Sequence, residues 1–328
     1  MRISFNTHPG GENLNTGFGY AGFNVVTSLQ RLGHVVPFND PDAPVQIFFT
    51  HPEHFVRRPG QYSILYFPWE STELKPGWLE IMNTADEVWT PSDLIAKWFV
   101  KCGVTVPVKV FKHGVTKSWE PKLRTPTEKI RFLHHGSEAT RKCGQETLEA
   151  FLDVFGRDND DVQLTFKSNG PAGMRIYTNG HLYTPDKISN NIKLIPRELS
   201  LDSLIGLYET SHCMLYPSQG EGFGLAPLQA MATGMPVILN SIWAPYRKLT
   251  IKELRISSRP VQSTHEVEHP GKVLEPNYEE LCNVMKYYYK NYKKCSKLAY
   301  TNATLVHEQY DWTKLTKDAF KHIVDMFD

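Results

Sequence analysis

The sequence predicts an α/β protein built from two Rossmann-like, doubly wound domains. Three observations carry this prediction. The chain has 328 residues, which suits two domains of ordinary size. A strand followed by a glycine-rich loop and a helix opens the chain, from Ile3 through Gly19 into the stretch after Tyr20. A second strand–loop–helix–strand unit runs from Cys213 to Asn240. Apolar strands alternating with amphipathic helices are the pattern of a parallel sheet covered on both faces.

In the first half, Ile3 to Phe5 reads as a buried strand, Tyr20 to Leu32 as an amphipathic helix ended by Gly33, and Val35 to Phe38 as the next strand. Gly17 and Gly19 lie in the turn-rich loop between strand and helix, where they would place open backbone at the sheet's carboxyl edge, facing a ligand. Val45–Phe49 and Ser63–Phe67 read as further strands. They run into Thr50-His51-Pro52 and Pro68-Trp69-Glu70-Ser71. Functional groups in such sheets gather at strand carboxyl ends, so His51 and Glu70 are the candidates of this half. Ser92 is a good N-cap for a helix with an apolar face at Leu94, Ile95, Trp98 and Phe99. The strand Val108–Phe111 leads to His113-Gly114-Val115, and the Pro-rich stretch from Ser118 to Thr127 reads as a linker.

The second half starts with a strand at Ile130–His134. Arg141 and Lys142 follow it, adjacent to one another just before a helix. Two cations there suit a diphosphate, and Arg can bind two oxygens at once. Val162–Phe166 and Ile192–Ile195 read as strands, residues 171–190 as a long surface loop, and Ser200 as the cap of a helix to Thr210. The next loop, Pro217 to Gly224, ends at the start of a helix. The backbone N–H groups of Phe223, Gly224 and Leu225 there form an anion site in the positive field of the helix dipole, and Gly222 and Gly224 allow close approach. Glu221 in the same loop would repel a phosphate at contact. It is better used beside the anion, accepting hydrogen bonds from hydroxyls, and a ligand with both phosphate and hydroxyls is a sugar nucleotide. Tyr278 to Tyr300 forms a further helix with lysines at 286, 290, 293, 294 and 297, read as a solvated face, with a peripheral membrane contact as the alternative.

The residues Pro217-Ser218-x-x-Glu221-Gly-Phe-Gly-Leu-x-Pro-Leu-x-Ala-Met-Ala-x-Gly-x-Pro-Val237 resemble the donor-site signature of retaining GT-B glycosyltransferases of the "glycosyl transferases group 1" type. The resemblance implies two Rossmann-like domains facing a cleft: residues 1–117 presenting the acceptor, a linker at 118–128, residues 129–305 binding the nucleotide-sugar, and a last helix at 306–328 returning to the first domain. It implies that Glu221 holds sugar hydroxyls. A second glutamate of the family, eight positions on, holds the ribose. This chain has Gln229 there, and an amide bonds hydroxyls less strongly than a carboxylate. The family's Arg after Gly136 is Ser137 here, while Lys142 keeps the family's Lys spacing. Arg197 lies in a turn that the resemblance places near the nucleotide base, and the loop with Gly17 and Gly19 would close over the diphosphate. Retention would follow from attack on the leaving-group face, with Glu70 or His51 orienting sugar or acceptor.

The near-zero net charge of +1 gives no general pull towards nucleic acid or anionic membrane. Five cysteines without metal-ligand spacing, and a start that reaches polar residues at once, fit reduced thiols, a cytoplasmic location and no signal peptide. No metal is expected, since Asp158 to Asp161 reads as a turn after a helix, and no cofactor beyond the nucleoside-diphosphate-sugar substrate. The acceptor classes left open are a glycan, a lipid, a small molecule or a modified nucleobase in DNA. A GT-B nucleotide-sugar epimerase and a non-catalytic nucleotide-sugar binding protein are the alternative readings.

Overall fold

The computed structural model describes residues 1–8, 11, 13–14, 16–125, 128–136, 140–168, 176–178 and 181–327. Five parallel strands form the first sheet in chain order: β1 (Ile3–Thr7), β2 (Val45–Phe49), β3 (Tyr62–Tyr66), β4 (Glu87–Thr90) and β5 (Val108–Val110). Its crossovers include α1 (Gly17–Arg31), α2 (Trp78–Met82) and α3 (Asp93–Lys101). Every residue of β2 is buried, as expected of a strand covered on both faces. The Ser92 hydroxyl caps α3 by accepting from the Leu94 amide at 3.3 Å.

Several elements differ from the sequence expectation. Helix α1 begins at Gly17, because Thr16 caps it with its hydroxyl accepting from the Gly19 amide at 2.9 Å. Gly17 and Gly19 therefore form the first helical turn and not an open loop. Val35 to Phe38 makes only isolated bridges, Val35 to Arg2 and Phe38 to Phe5. Pro37 supplies its carbonyl to the Phe5 amide but has no N–H to return, so regular pairing stops. The expected loop at 171–190 contains a short antiparallel hairpin, β8 (Ile176–Thr178) and β9 (His181–Tyr183). Its polar, aperiodic residues hide the pairing.

The second sheet is also parallel, in the order β10-β7-β6-β11-β12-β13. Its strands are β6 (Ile130–His135), β7 (Val162–Lys167), β10 (Ile192–Ile195), β11 (Cys213–Tyr216), β12 (Val237–Asn240) and β13 (Arg255–Ile256). Helices α4 (Gly144–Phe155), α5 (Leu201–Thr210) and α6 (Leu225–Ala232) connect them. An antiparallel hairpin follows, β14 (Ser258–Gln262) with β15 (Lys272–Pro276). Helix α7 (Tyr278–Gln309) runs past the expected Tyr300, with a break in helical geometry at Asn291. Helix α8 (Trp312–Phe327) buries Trp312, Phe320 and Ile323 in the same core as Ile3, Val45 and Ile64 of the first sheet. Burying three such side chains contributes about 1.5–3 kcal/mol each. The Val115 amide donates to the Tyr310 carbonyl at 2.7 Å, tying the two inter-sheet passages of the chain together.

Candidate active site

Where strand order reverses in a parallel sheet, the loops leaving neighbouring strands diverge and leave a crevice. In the second sheet it lies between β6 and β11. The loop after β6 carries Arg141 and Lys142, and the loop after β11 carries Ser218 to Gly224. Four groups converge there on one oxygen, Oε1 of Glu221: Lys142 Nζ at 2.5 Å, the Ser218 hydroxyl at 2.7 Å, the Tyr216 hydroxyl at 3.1 Å and Arg141 Nη1 at 3.6 Å. Among the described residues all four contacts fall on Oε1 and none on Oε2.

Burial alone would raise the Glu221 carboxyl. Lys142, Arg141 and the hydrogen bonds from Lys142 and Ser218 outweigh it and hold the group below the ordinary carboxylate value. Lys142 is itself drawn down by burial and by Arg141, with Glu221 pulling the other way. The sequence expectation set Arg141 and Lys142 on a diphosphate. The structure gives both a partner in the protein: Lys142 meets Glu221 and the Tyr216 hydroxyl, and Arg141 donates to the Gly220 carbonyl at 2.6 Å. They close the Glu221 loop, and any phosphate they bind is shared with that task. Ser137 lies outside the described residues.

The loop also leans on the other domain. A Cβ at Gly220 would stand 2.3 Å from the Glu70 carbonyl oxygen, and one at Gly222 2.2 Å from Pro68 Cβ. Only glycine permits this approach, so Glu70 faces the Glu221 loop directly. Gly224, at φ +81°, caps α6, and a Cβ there would meet Trp243 and Tyr246 at 2.6 Å. Leu225 opens α6, and its Cδ1 lies 3.9 Å from where a Cβ of Gly17 would be. The N-termini of α1 and α6 thus meet across the cleft. Gln229 is buried in the second turn of α6. Phe223 is buried, its ring against His113 with centroids 4.9 Å apart.

In the first sheet the bridged stretch Val35–Phe38 lies on one side of β1 and β2 on the other, so the chain changes direction across the sheet at β1. His8 and His51 lie there with rings 6.5 Å apart, and His51 is bounded by Trp78 at 5.5 Å and Trp69 at 6.3 Å. Burial lowers the His51 imidazole from its ordinary value, against an opposing pull from Glu70. Arg197 stands apart from the Glu221 cluster. It is exposed, on a groove shared with Leu194, Pro196 and Leu207.

Sequence reasoning missed three participants. Ser218 lies inside the signature and Tyr216 just before it, but neither carries a positional signal for a carboxylate. His269 has its Nδ1 3.7 Å from Glu70 Oε2, a contact between residues 199 apart that spacing does not reveal. Among the described residues, no three His, Cys, Asp or Glu side chains are grouped to hold a metal ion, and no helix is long and apolar enough to cross a membrane.

Residues 129–250 match the family described as "Glycosyl transferases group 1". The O-antigen chain mannosyltransferase RfbU of Salmonella typhimurium is 42% identical over 53 residues, covering 16% of this chain and 15% of that protein. The sulfoquinovosyl transferase SQD2 of Arabidopsis thaliana is 24% identical over 182 residues, covering 50% of this chain and 33% of that protein. The chain thus spans a third or less of these relatives. The structure of sucrose-phosphate synthase from Thermosynechococcus elongatus superimposes with a TM-score of 0.73 at 13% identity, covering 100% of this chain and 99% of that one. The chain therefore has the GT-B architecture throughout, and its second domain carries the glycosyl transferases group 1 pattern that the Glu221 loop resembles.

Proposed function

We propose that the protein moves a sugar from a nucleoside-diphosphate-sugar to an acceptor hydroxyl, with retention and without a metal ion. The observation that carries this reading is the Glu221 carboxylate, kept ionised at the β6/β11 switch point with its four contacts among the described residues on one oxygen. Such an acceptor suits sugar hydroxyls. The first amides of α6 and the adjacent cations suit the diphosphate, supplying the countercharge that a metal would otherwise provide. Gln229 reaches the ribose from the second turn of α6.

In this account the bond between the anomeric carbon and the phosphate oxygen breaks, and the acceptor oxygen attacks from the same face. The departing phosphate oxygen takes the acceptor's proton, so no carboxylate nucleophile is needed. Glu70 and His51, on the opposite wall, orient the sugar or the acceptor. The mannosyl and sulfoquinovosyl transferases that this chain resembles support sugar transfer as the class.

The test begins with a thermal-shift panel of nucleotide-sugars. The one that stabilises the protein is then incubated with candidate acceptors, and the product anomer is read by NMR. A glycoside with the donor's anomeric configuration is the expected product. An inverted product, or an epimerised donor with no transfer, would replace this reading.

A further inference from the structure

We propose that His269 is a positioning residue for Glu70, supplied across the cleft by the β14–β15 hairpin. This rests on the reading that Glu70 acts on sugar or acceptor. The hairpin tip is tied internally: the Ser263 amide donates to the Gly271 carbonyl at 2.8 Å, and the His269 amide to the His265 carbonyl at 2.7 Å. It is also docked on the first domain at the segment that follows β3. The Thr72 amide donates to the Lys272 carbonyl at 3.1 Å, and the Lys272 amide to the Thr72 hydroxyl at 2.8 Å. Gly271 has φ +81°, and a Cβ there would stand 2.7 Å from Glu73 Cγ. The fit at the contact requires glycine.

This docking places the His269 ring 5.4 Å from Trp69, with Nδ1 3.7 Å from Glu70 Oε2. The two side chains are only 15% and 18% exposed, so their interaction is partly shielded from solvent. Glu73 and Lys272 flank the contact, and Lys142 and His51 lie within electrostatic reach of Glu70 from the other side. Glu70 follows a strand of one domain, while the imidazole 3.7 Å from its carboxylate comes from the other. The site is therefore complete only when the hairpin is seated and the domains are closed.

The test uses the full chain and the variants His269→Gln, Glu70→Gln and the double. Imidazole titration by NMR, with no substrate present, is expected to show the His269 pKa falling in Glu70→Gln, because the neighbouring negative charge is gone. An unchanged value overturns the pairing. Release of UDP or GDP from UDP-glucose, UDP-N-acetylglucosamine and GDP-mannose gives the second readout. His269→Gln is expected to lower kcat about tenfold or more with donor KM within about twofold, and to cost nothing further on top of Glu70→Gln. Losses that multiply in the double variant would make His269 independent of Glu70. A fully active Glu70→Gln that still shows the His269 shift would leave the pairing standing and remove Glu70 from the proposed chemistry.

Discussion

At Glu221 a negative charge is buried because two cations and two hydroxyls share one of its oxygens. Removing one member of such a pair costs more than the pair is worth, since the other is left uncompensated. Lys142→Ala should therefore lower stability by about 3–5 kcal/mol in urea unfolding. Lys142→Met combined with Glu221→Gln should recover much of that loss. The pH dependence follows from the lowered carboxyl. The stabilisation is present above the ordinary carboxylate value of 4.5 and is lost as pH falls through the lower folded value. Glu221 itself was legible in the sequence, because carboxylate, glycines and helix start are contiguous. Its partner Lys142 was legible only as a cation near a strand end. The sequence expectation gave that cation to phosphate, because the loops after β6 and β11 meet only in the folded sheet.

At the scale of elements, the 220–224 loop and α6 are held by close approach. Gly222→Ala would drive a methyl group into Pro68. The expected result is a strong loss of transfer with the secondary structure of both domains retained by circular dichroism, since the clash falls between domains and not within one. Gly224→Ala instead combines a left-handed backbone, worth about 1–2 kcal/mol, with overpacking against Trp243 and Tyr246, worth about 1–3 kcal/mol. It should lower the melting temperature measurably. The long apolar strands and the Ser92 and Ser200 caps were legible because each is a local pattern. The early start of α1 was not, because two glycines outweighed the Thr16 cap in a reading by propensity. Nor was the failure of Val35–Phe38 to form a regular strand, where a single Pro decides.

Among the described residues burial lowers His51 and four further histidines, the four by a large amount. His113 and His135 lie at about 3, and His134 and His212 at about 4, against an ordinary value of 6.5. Below pH 6.5 the unfolded chain takes up protons that the folded chain refuses, so stability falls as pH drops from 6.5 towards 4. Each site contributes up to about 1.4 kcal/mol per pH unit. His113 is the cleanest probe. Among the described residues its two ring nitrogens have no hydrogen-bond partner, and it packs among Phe223, Trp312 and Tyr66 where the two domains and α8 meet. His113→Phe should keep the fold and make the acid limb of a stability–pH profile shallower by about one proton. The central claim concerns the cleft as a whole, that Glu221 holds the sugar while α6 and its neighbouring cations hold the diphosphate. It is tested most directly by paired calorimetric titration of parent and Glu221→Gln with the nucleotide-sugar selected by thermal shift and with its bare nucleoside diphosphate. Glutamine keeps the side chain's size and limits the disturbance around Lys142. The account predicts a large loss of affinity for the nucleotide-sugar, with affinity for the bare diphosphate level or slightly higher. An equal loss for both ligands would contradict it.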